Sequence, residues 1–454
     1  MKKSVLKTSA LVTLMSALLA VSCQEQALQG SSPAPTAQTE VNQLIALLSE
    51  NGSDYALPQE TDLDRIPQDP KNPLTSEKVA LGKLLFHETA LSGVSKNGRN
   101  GTWSCASCHF ARAGFQDKRV QSLADGGMGD MEHRQLIDEN TPHANLDSPN
   151  VHSPTILNLA YQENVLWNGM AGGLDDNLNH RARWDKTKPH GFNFLGYGGA
   201  ETQAIIALGA HRQTHDNMKY ETAKEPVTLL DAYPEYVSRF QKIFPGEPMT
   251  REKLGLLLAA YERTVLPNKA PFQRFIQGDT KALSAQEIKG ARLFFGKAQC
   301  ASCHTGASLN SPAFYSVGFK DMEVEFGNAP DESTRKGRGG FTGNPEDDYK
   351  FKVPQLYNLK DVPALGHGGS FQSDSQQSAL EKVVRYKLKG VAENPEVPAK
   401  QLAPGFTAMQ SVDFSEAEIQ SLIAFVSEGL YDPDLKRYEP TSLPSGKRII
   451  NDDD

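Results

Sequence analysis

The pentapeptide CASCH occurs twice in the sequence, at 105–109 and 300–304, and this repeat constrains the fold more than any other feature. In C-x-x-C-H, two thiols add to the vinyl groups of one haem, and the adjacent His reaches the iron. Outside the first 23 residues, every cysteine belongs to these motifs. The pattern predicts two covalently bound haem c groups. The cysteines that would hold them are Cys105, Cys108, Cys300 and Cys303, and the iron ligands would be His109 and His304.

Paired cysteines also serve other chemistries. The alternatives are a thioredoxin-like redox pair, a four-cysteine zinc site and two structural disulfides in an oxidising compartment. None of them explains why a His follows both pairs at the same position in an exported chain. The two-haem interpretation accounts for all six residues.

The segments before the two motifs resemble each other. ALGKLLFHETALSG precedes the first CASCH and KGARLFFGKA precedes the second, and both have the apolar spacing of a helix. The repeat predicts duplication of one haem-binding unit, with a boundary near 267–279. Helical spacing recurs at 41–48, 251–265, 378–388 and 415–428, whereas strand-like alternation is scarce.

The first 23 residues are typical of an export signal. Basic residues up to Lys7 precede an apolar stretch at 10–21, and residues 20–23 resemble the lipobox of bacterial lipoproteins. Cys23 would then carry the lipid, and the alternative is an ordinary signal peptide cut near it. We expect a flexible tether at 24–39, rich in Ser, Pro, Gln and Ala, and a location in the periplasm or at the cell surface, lipid-anchored to a membrane.

The charge of the chain argues against one class of partner. The formal net charge is −8, and no long basic run occurs. Nucleic-acid binders carry clustered Lys and Arg that face the phosphates. We therefore expect no nucleic-acid partner, and contact with a membrane only through the N-terminal lipid.

Beyond the motifs, the sequence resembles the bacterial di-haem cytochrome c peroxidase and MauG family, from about Leu74 to Pro440. In the first half, LGKLLF, SCASCH, SPTILN (153–158) and LWNGMA (166–171) follow the order of that family's landmarks. In the second half the matching segments are KGARLFF, CASCHTG, FKVPQLYNL and EIQSLIAFV.

The resemblance implies a mainly α-helical protein with two cytochrome c-like domains, each with one covalent haem. A peroxidatic domain would span 74–266 and an electron-transfer domain 267–432. The implied flanking segments are a signal peptide at 1–23, a tether and short helix at 24–73, and a tail at 433–454.

The resemblance also implies an activity. Hydrogen peroxide would be reduced at the first haem with electrons from a small cytochrome c or cupredoxin, and Trp167 would relay electrons between the haems. One alternative is a MauG-like oxidase that modifies a partner protein, and another is a non-catalytic electron-transfer cytochrome. The sequence leaves open whether the protein forms a homodimer.

The sequence departs from the family pattern at three positions. The distal Glu of the first haem falls on Gln213, so His211 and Arg212 beside it are candidates to move protons and stabilise charge. Counting back from the Gly of VVRYKLKG places Lys387 at the sixth-ligand position of the second haem, with Tyr386 and Met409 as alternatives. A solvated Lys on a basic helix face is the competing interpretation. His152 replaces an Asn that holds calcium in the family, so calcium would depend on backbone carbonyls near 362–364.

Overall fold

The computed structural model describes residues 36–52, 54–215 and 217–450. Short 3₁₀ turns and irregular segments connect its α-helices. The helices are α1 (Ala37–Glu50), α2 (Ser76–His87), α3 (Gly199–Ala210), α4 (Pro234–Ile243), α5 (Arg251–Glu262), α6 (Pro271–Ile276), α7 (Ala285–Phe295), α8 (Glu332–Arg335), α9 (Arg338–Thr342), α10 (Ala379–Lys389), α11 (Pro404–Ala408) and α12 (Glu416–Ala424).

Strands are short and occur as antiparallel pairs. They are β1 (Gly127–Met128) with β2 (Gln135–Leu136), β3 (Ser311–Tyr315) with β4 (Phe351–Val353), and β5 (Ala364–Leu365) with β6 (Phe371–Gln372). The scarcity of strand patterns in the sequence therefore matches the structure. Among the described residues, none of the helices is both long and apolar enough to cross a membrane.

Ser and Thr side chains cap the starts of the main helices. The side chains of Thr75 and Thr250 accept from backbone N–H groups in the first turns of α2 and α5. Ser284 and Ser415 form capping boxes with the Glu three residues later, at the starts of α7 and α12. Each cap satisfies an N–H group that a helix leaves unpaired, which contributes about 1 kcal/mol.

Both halves use the same crossing of two helices. On α2, Gly82 lies against the carbonyl of Leu257 and the Cβ of Tyr261 on α5. On α7, Gly290 lies against the carbonyl of Ser421 and the Cβ of Phe425, where α12 ends. A Cβ at either glycine would overlap the opposing carbonyl oxygen, so only glycine permits this approach. The internal repeat seen in the sequence is therefore a repeat of this helix pair.

The chain termini pack across the two halves. α1 begins at Ala37, inside the segment predicted as a tether, and it packs against α7, where Glu40 accepts a hydrogen bond from Arg292. At the other end, Tyr438 accepts from Tyr261 through its carbonyl (3.0 Å) and donates to the carbonyl of Leu266 (2.7 Å). The predicted boundary between the two halves stays a prediction.

The segment between Trp167 and α3 adds a loop to the pattern of the family that the sequence resembles, and we call it the inserted segment. It forms two 3₁₀ stretches, Asp175–Arg183 and Pro189–Leu195. Asp176 forms an ion pair with the buried Arg338 of α9 at 2.5 Å. The insertion therefore packs against the second half of the chain.

The helix crossings generate a stability prediction. We expect Gly82→Ala and Gly290→Ala each to lower the free energy of unfolding by about 2 kcal/mol or more, because the added methyl must displace a backbone carbonyl. Lys289→Ala is the control, since Lys289 is exposed on the same helix as Gly290. Denaturant unfolding of the haem-loaded protein measures all three. Equal stability of the three variants would contradict the crossing geometry.

Candidate haem sites

The two CASCH motifs adopt the same local structure. Cys105–Ser107 and Cys300–Ser302 each form a 3₁₀ turn, and the N–H of the motif His donates to the carbonyl of the first Cys in both copies (3.0 and 2.9 Å). Both cysteines and the His therefore project from one tight turn, as attachment to a single haem requires.

The histidine rings are oriented in the same way. Nδ1 of His109 lies 3.2 Å from the carbonyl oxygen of Phe115, and Nδ1 of His304 lies 3.1 Å from those of Leu309 and Pro354. A carbonyl accepts only from a protonated Nδ1, so Nε2 is the nitrogen left for a metal. Phe115 and Leu309 both hold φ near +50° (55° and 49°), a strained value for these residues.

The protonation states also fit haem binding. Burial lowers the pKa of His109 and of His304 to about 4, so both imidazoles are neutral at pH 7, as an iron ligand must be. The four motif cysteines are free thiols, and burial raises the pKa of Cys105 and of Cys300 to about 12. The residues thus fit two haem c groups, and thioether attachment stays a prediction.

A mostly apolar cavity of about 420 Å³ surrounds the second motif. We call it the His304 cavity. Its walls include Cys300, Phe319, Lys387 and Val426. The cavity has the apolar lining expected around a haem face.

Lys387 enters the His304 cavity from α10. Its Nζ lies 4.8 Å from the ring centre of Phe319, and its charge lowers the pKa of His304. Burial lowers the pKa of Lys387 to about 8, so a larger fraction of its amine is neutral near neutral pH than in an exposed Lys. The position argues against a solvated Lys, and the role of Lys387 as sixth ligand stays a prediction.

The two alternative ligands are placed differently. The hydroxyl of Tyr386 donates to the carbonyls of Val317 (2.6 Å) and Gly318 (2.9 Å), so it is already committed to backbone. Met409 is buried and also lines the His304 cavity. Between the two alternatives, the structure leaves Met409 as the competitor of Lys387.

The three residues aligned with the distal side of the first haem separate in the structure. Gln213 is buried, and its amide lies 3.6 to 3.8 Å from Sγ of Cys105. His211 pairs with Asp147 at 3.2 Å, and its charge lowers the pKa of His109. Gln213 and His211 thus lie near the first motif.

Arg212 points elsewhere. Its guanidinium donates to the buried carboxylate of Asp125 at 2.9 Å and to the carbonyl of Asn145. Its backbone is left-handed, with φ of 47°. These contacts hold the segment that follows α3 against Asp125 and Asn145, and the predicted catalytic role of Arg212 stays untested.

Trp167 borders the second motif and contacts His152. Its ring lines the His304 cavity, and its Nε1 donates to the carbonyl of His152 at 2.7 Å. The charge on His152 in turn lowers the pKa of His109. A single side chain and its hydrogen-bond partner therefore connect the surroundings of the two proximal histidines.

The sequence matches known proteins over most of its length. A family model described as di-haem cytochrome c peroxidase matches residues 76–281. The methylamine utilization protein MauG of Methylorubrum extorquens is 29% identical over 366 residues, covering 80% of this chain and 81% of that protein. The chain is therefore similar to the di-haem cytochrome c peroxidase and MauG family.

Two further relatives agree with this assignment. A cytochrome-c peroxidase of Denitromonas iodatirespirans is 26% identical over 401 residues, covering 83% of this chain and 88% of that protein. The crystal structure of a MauG-like protein associated with microbial copper homeostasis has a TM-score of 0.57 and 21% identity, covering 84% of this chain and 96% of that chain. These similarities support the mainly α, cytochrome c-like fold and imply haem c cofactors.

The calcium site of the family fits poorly here. Nδ1 of His152 lies 3.1 Å from the carbonyl of Val120, and calcium prefers oxygen ligands to imidazole. Among the described residues, no cluster of three His, Cys, Asp or Glu could hold a metal ion. Calcium through backbone carbonyls alone stays a prediction.

Sequence reasoning missed Glu262, the last residue of α5. It is 4% exposed, and its Oε2 has no hydrogen-bond partner among the described residues. Its charge raises the pKa of the Cys105 thiol, which places it at the first motif. The signal was available in the internal repeat, because aligning the two closing helices puts Glu262 opposite Val426.

The sixth ligand can be tested by substitution. We expect Lys387→Met to raise the reduction potential of the second haem, because a thioether stabilises ferrous iron better than an amine does. Tyr386→Phe and Met409→Leu are the controls, and both should keep the potential of the unmodified protein. Spectroelectrochemical titration measures each. If Met409→Leu changes the potential and Lys387→Met does not, the ligand is Met409.

The buried ion pair of Arg212 generates a second prediction. We expect Arg212→Leu to lower the free energy of unfolding by about 3 kcal/mol, because it leaves the Asp125 carboxylate buried and unpaired. Arg239→Ala, which breaks an exposed pair with Glu235, should cost less than about 0.5 kcal/mol. Denaturant unfolding compares the two variants, and similar losses would argue against a structural role for Arg212.

Proposed function

We propose that the protein reduces hydrogen peroxide to water with electrons from a small periplasmic cytochrome c or cupredoxin. Two electrons and two protons convert one peroxide molecule to two waters, and bound haem supplies the redox chemistry. The proposal includes export and lipid anchoring at Cys23, which lies outside the described residues.

The placement of Trp167 carries this proposal. An electron that enters near His304 must cross to the first motif. Trp167 offers an aromatic ring for this step, because it lines the His304 cavity and donates a hydrogen bond to the carbonyl of His152. Its backbone is fixed as well, because the N–H of Lys352 donates to the carbonyl of Trp167 at 2.9 Å. Bonds at both the indole and the backbone keep the ring in one position.

The surroundings of Cys105 provide polar groups at the first site. The Gln213 amide can donate a hydrogen bond, but it cannot take up or release a proton near pH 7. His211 can do both, and its pairing with Asp147 raises its pKa against the effect of burial. These groups suit binding of a small polar oxidant.

A MauG-like oxidase that modifies a partner protein is the second candidate. Two observations favour it: an amine, Lys387, stands where the peroxidases have Met, and no carboxylate stands at position 213. A nitrogen ligand lowers the potential of a haem relative to Met. A donor assay separates the candidates, because a peroxidase consumes peroxide catalytically with a small redox protein and an oxidase does so only with its protein partner.

Rapid mixing of the fully reduced protein with stoichiometric hydrogen peroxide tests the proposal. We expect fast oxidation of both haems, and we expect Trp167→Phe to slow oxidation of the second haem by about tenfold or more, or about 1.4 kcal/mol in activation free energy. Trp184→Phe, a buried Trp in the inserted segment, should match the unmodified protein. Ferrous spectra that persist after mixing would leave an electron carrier.

A further inference from the structure

The two helix crossings define which residues correspond in the two halves. Gly82 contacts Leu257 and Tyr261 on one side, and Gly290 contacts Ser421 and Phe425 on the other. The contacts are four residues apart in both cases, so Tyr261 corresponds to Phe425. The next residue in each helix is therefore also equivalent, and this pairs Glu262 with Val426.

Val426 shows what this position does in the second half. It lines the His304 cavity together with Cys300 and His304. The equivalent position in the first half is therefore a wall of the first haem site, and there the side chain is a carboxyl group. Its effect on the Cys105 thiol places the carboxyl independently at the same motif.

Glu262 has no cation of its own. Arg263, the adjacent residue, donates to both oxygens of Glu201 at 2.8 and 2.6 Å, and Glu201 is fully buried. A carboxylate in such a place would be costly, whereas a neutral carboxylic acid is tolerated. Burial, with the Glu201 charge, raises the pKa of Glu262 to about 8, so the group holds its proton at pH 7.

Few titratable groups act on Glu262. Glu201 of α3 and Arg263, next in the chain, act on its carboxyl group. Glu262 in turn acts on Tyr261 of α5 and on Cys105 of the first motif. From α2, the ring of His87 packs on Tyr261. The 3₁₀ segment Tyr220–Lys224 meets α5 at its other end, where Arg251 donates to Thr222.

We propose that Glu262 is a proton-holding residue in the wall of the first haem site, and that its ionisation is coupled to the charge on that haem. The inference rests on haem binding at Cys105 and His109, and it does not require peroxide turnover. A haem that has lost one electron carries one more positive charge, which stabilises a nearby carboxylate. The electron passes to an external oxidant, and the proton of Glu262 passes to solvent.

The coupling lets Glu262 exchange a proton, which the amide of Gln213 cannot do near pH 7. Peroxide reduction consumes two protons, and Glu262 is a carboxyl group at the first haem site that can exchange one. The second site has Val426 at this position, so its titratable group is the amine of Lys387 rather than a carboxyl group. The duplicated sites therefore differ in their response to pH.

Reduction potentials measured at several pH values test the proposal. We expect the potential of the first haem to fall as pH rises from mildly acidic values to about 8, the pKa of Glu262, and to level off above it. The slope should reach up to about 59 mV per unit, the value for a tenfold change in a one-electron equilibrium. Glu262→Gln should remove this slope and leave the second haem unchanged. Glu163→Gln, which neutralises an exposed carboxyl whose pKa is also raised, is the matched control and should keep the slope.

Two further measurements keep the test decisive. If Glu262→Gln does not take up haem, Glu262→Val copies the residue of the second site and should also lack the slope. In the unmodified protein, infrared difference spectra between the reduced and oxidised states should show loss of a protonated carboxyl band. A slope that survives in both variants, or no slope in the unmodified protein, overturns the proposal. If the protein is inactive with peroxide but shows the slope, the proposed function is wrong and the proposal for Glu262 stands.

Discussion

Backbone contact at Gly82 and at Gly290 sets the geometry on which each haem site depends. In both halves the glycine lets one helix rest on a carbonyl of another, so the two axes are closer than side chains would allow. The CASCH turn follows the first helix of each pair, and the second helix supplies a wall residue. Fixing this crossing therefore fixes the relation between the motif and the wall, and duplication of the pair copied the whole arrangement.

The two sites are alike on the histidine side. In both, a carbonyl from a residue at positive φ selects the tautomer of the ring and leaves Nε2 for iron. A difference in reactivity between the sites must therefore arise elsewhere. The two sites differ in the other residues near each motif. Glu262 and Gln213 lie near the first motif, and Val426 and Lys387 lie near the second.

The sequence predicted the local features well because they depend on neighbouring residues. The motifs, the Ser and Thr caps and α2 follow from spacing within a few residues, and counting back from Gly390 led to Lys387. Contacts between distant segments were not predictable in this way. The docking of α1 on α7 and the turn of Arg212 toward Asp125 depend on residues far apart in the chain. Glu262 was missed because YERTVL by itself has the composition of a solvated helix end, and only an alignment of the two closing helices pairs Glu262 with Val426.

The crossed termini have a consequence for biogenesis. The N-terminal helix rests on the second half, and Tyr438, near the C-terminus, hydrogen-bonds to both Tyr261 and Leu266 in the first half. A chain that is synthesised from its N-terminus can form these contacts only after its final segment has been made. The first half therefore lacks the hydrogen bonds of Tyr438 until synthesis is almost complete.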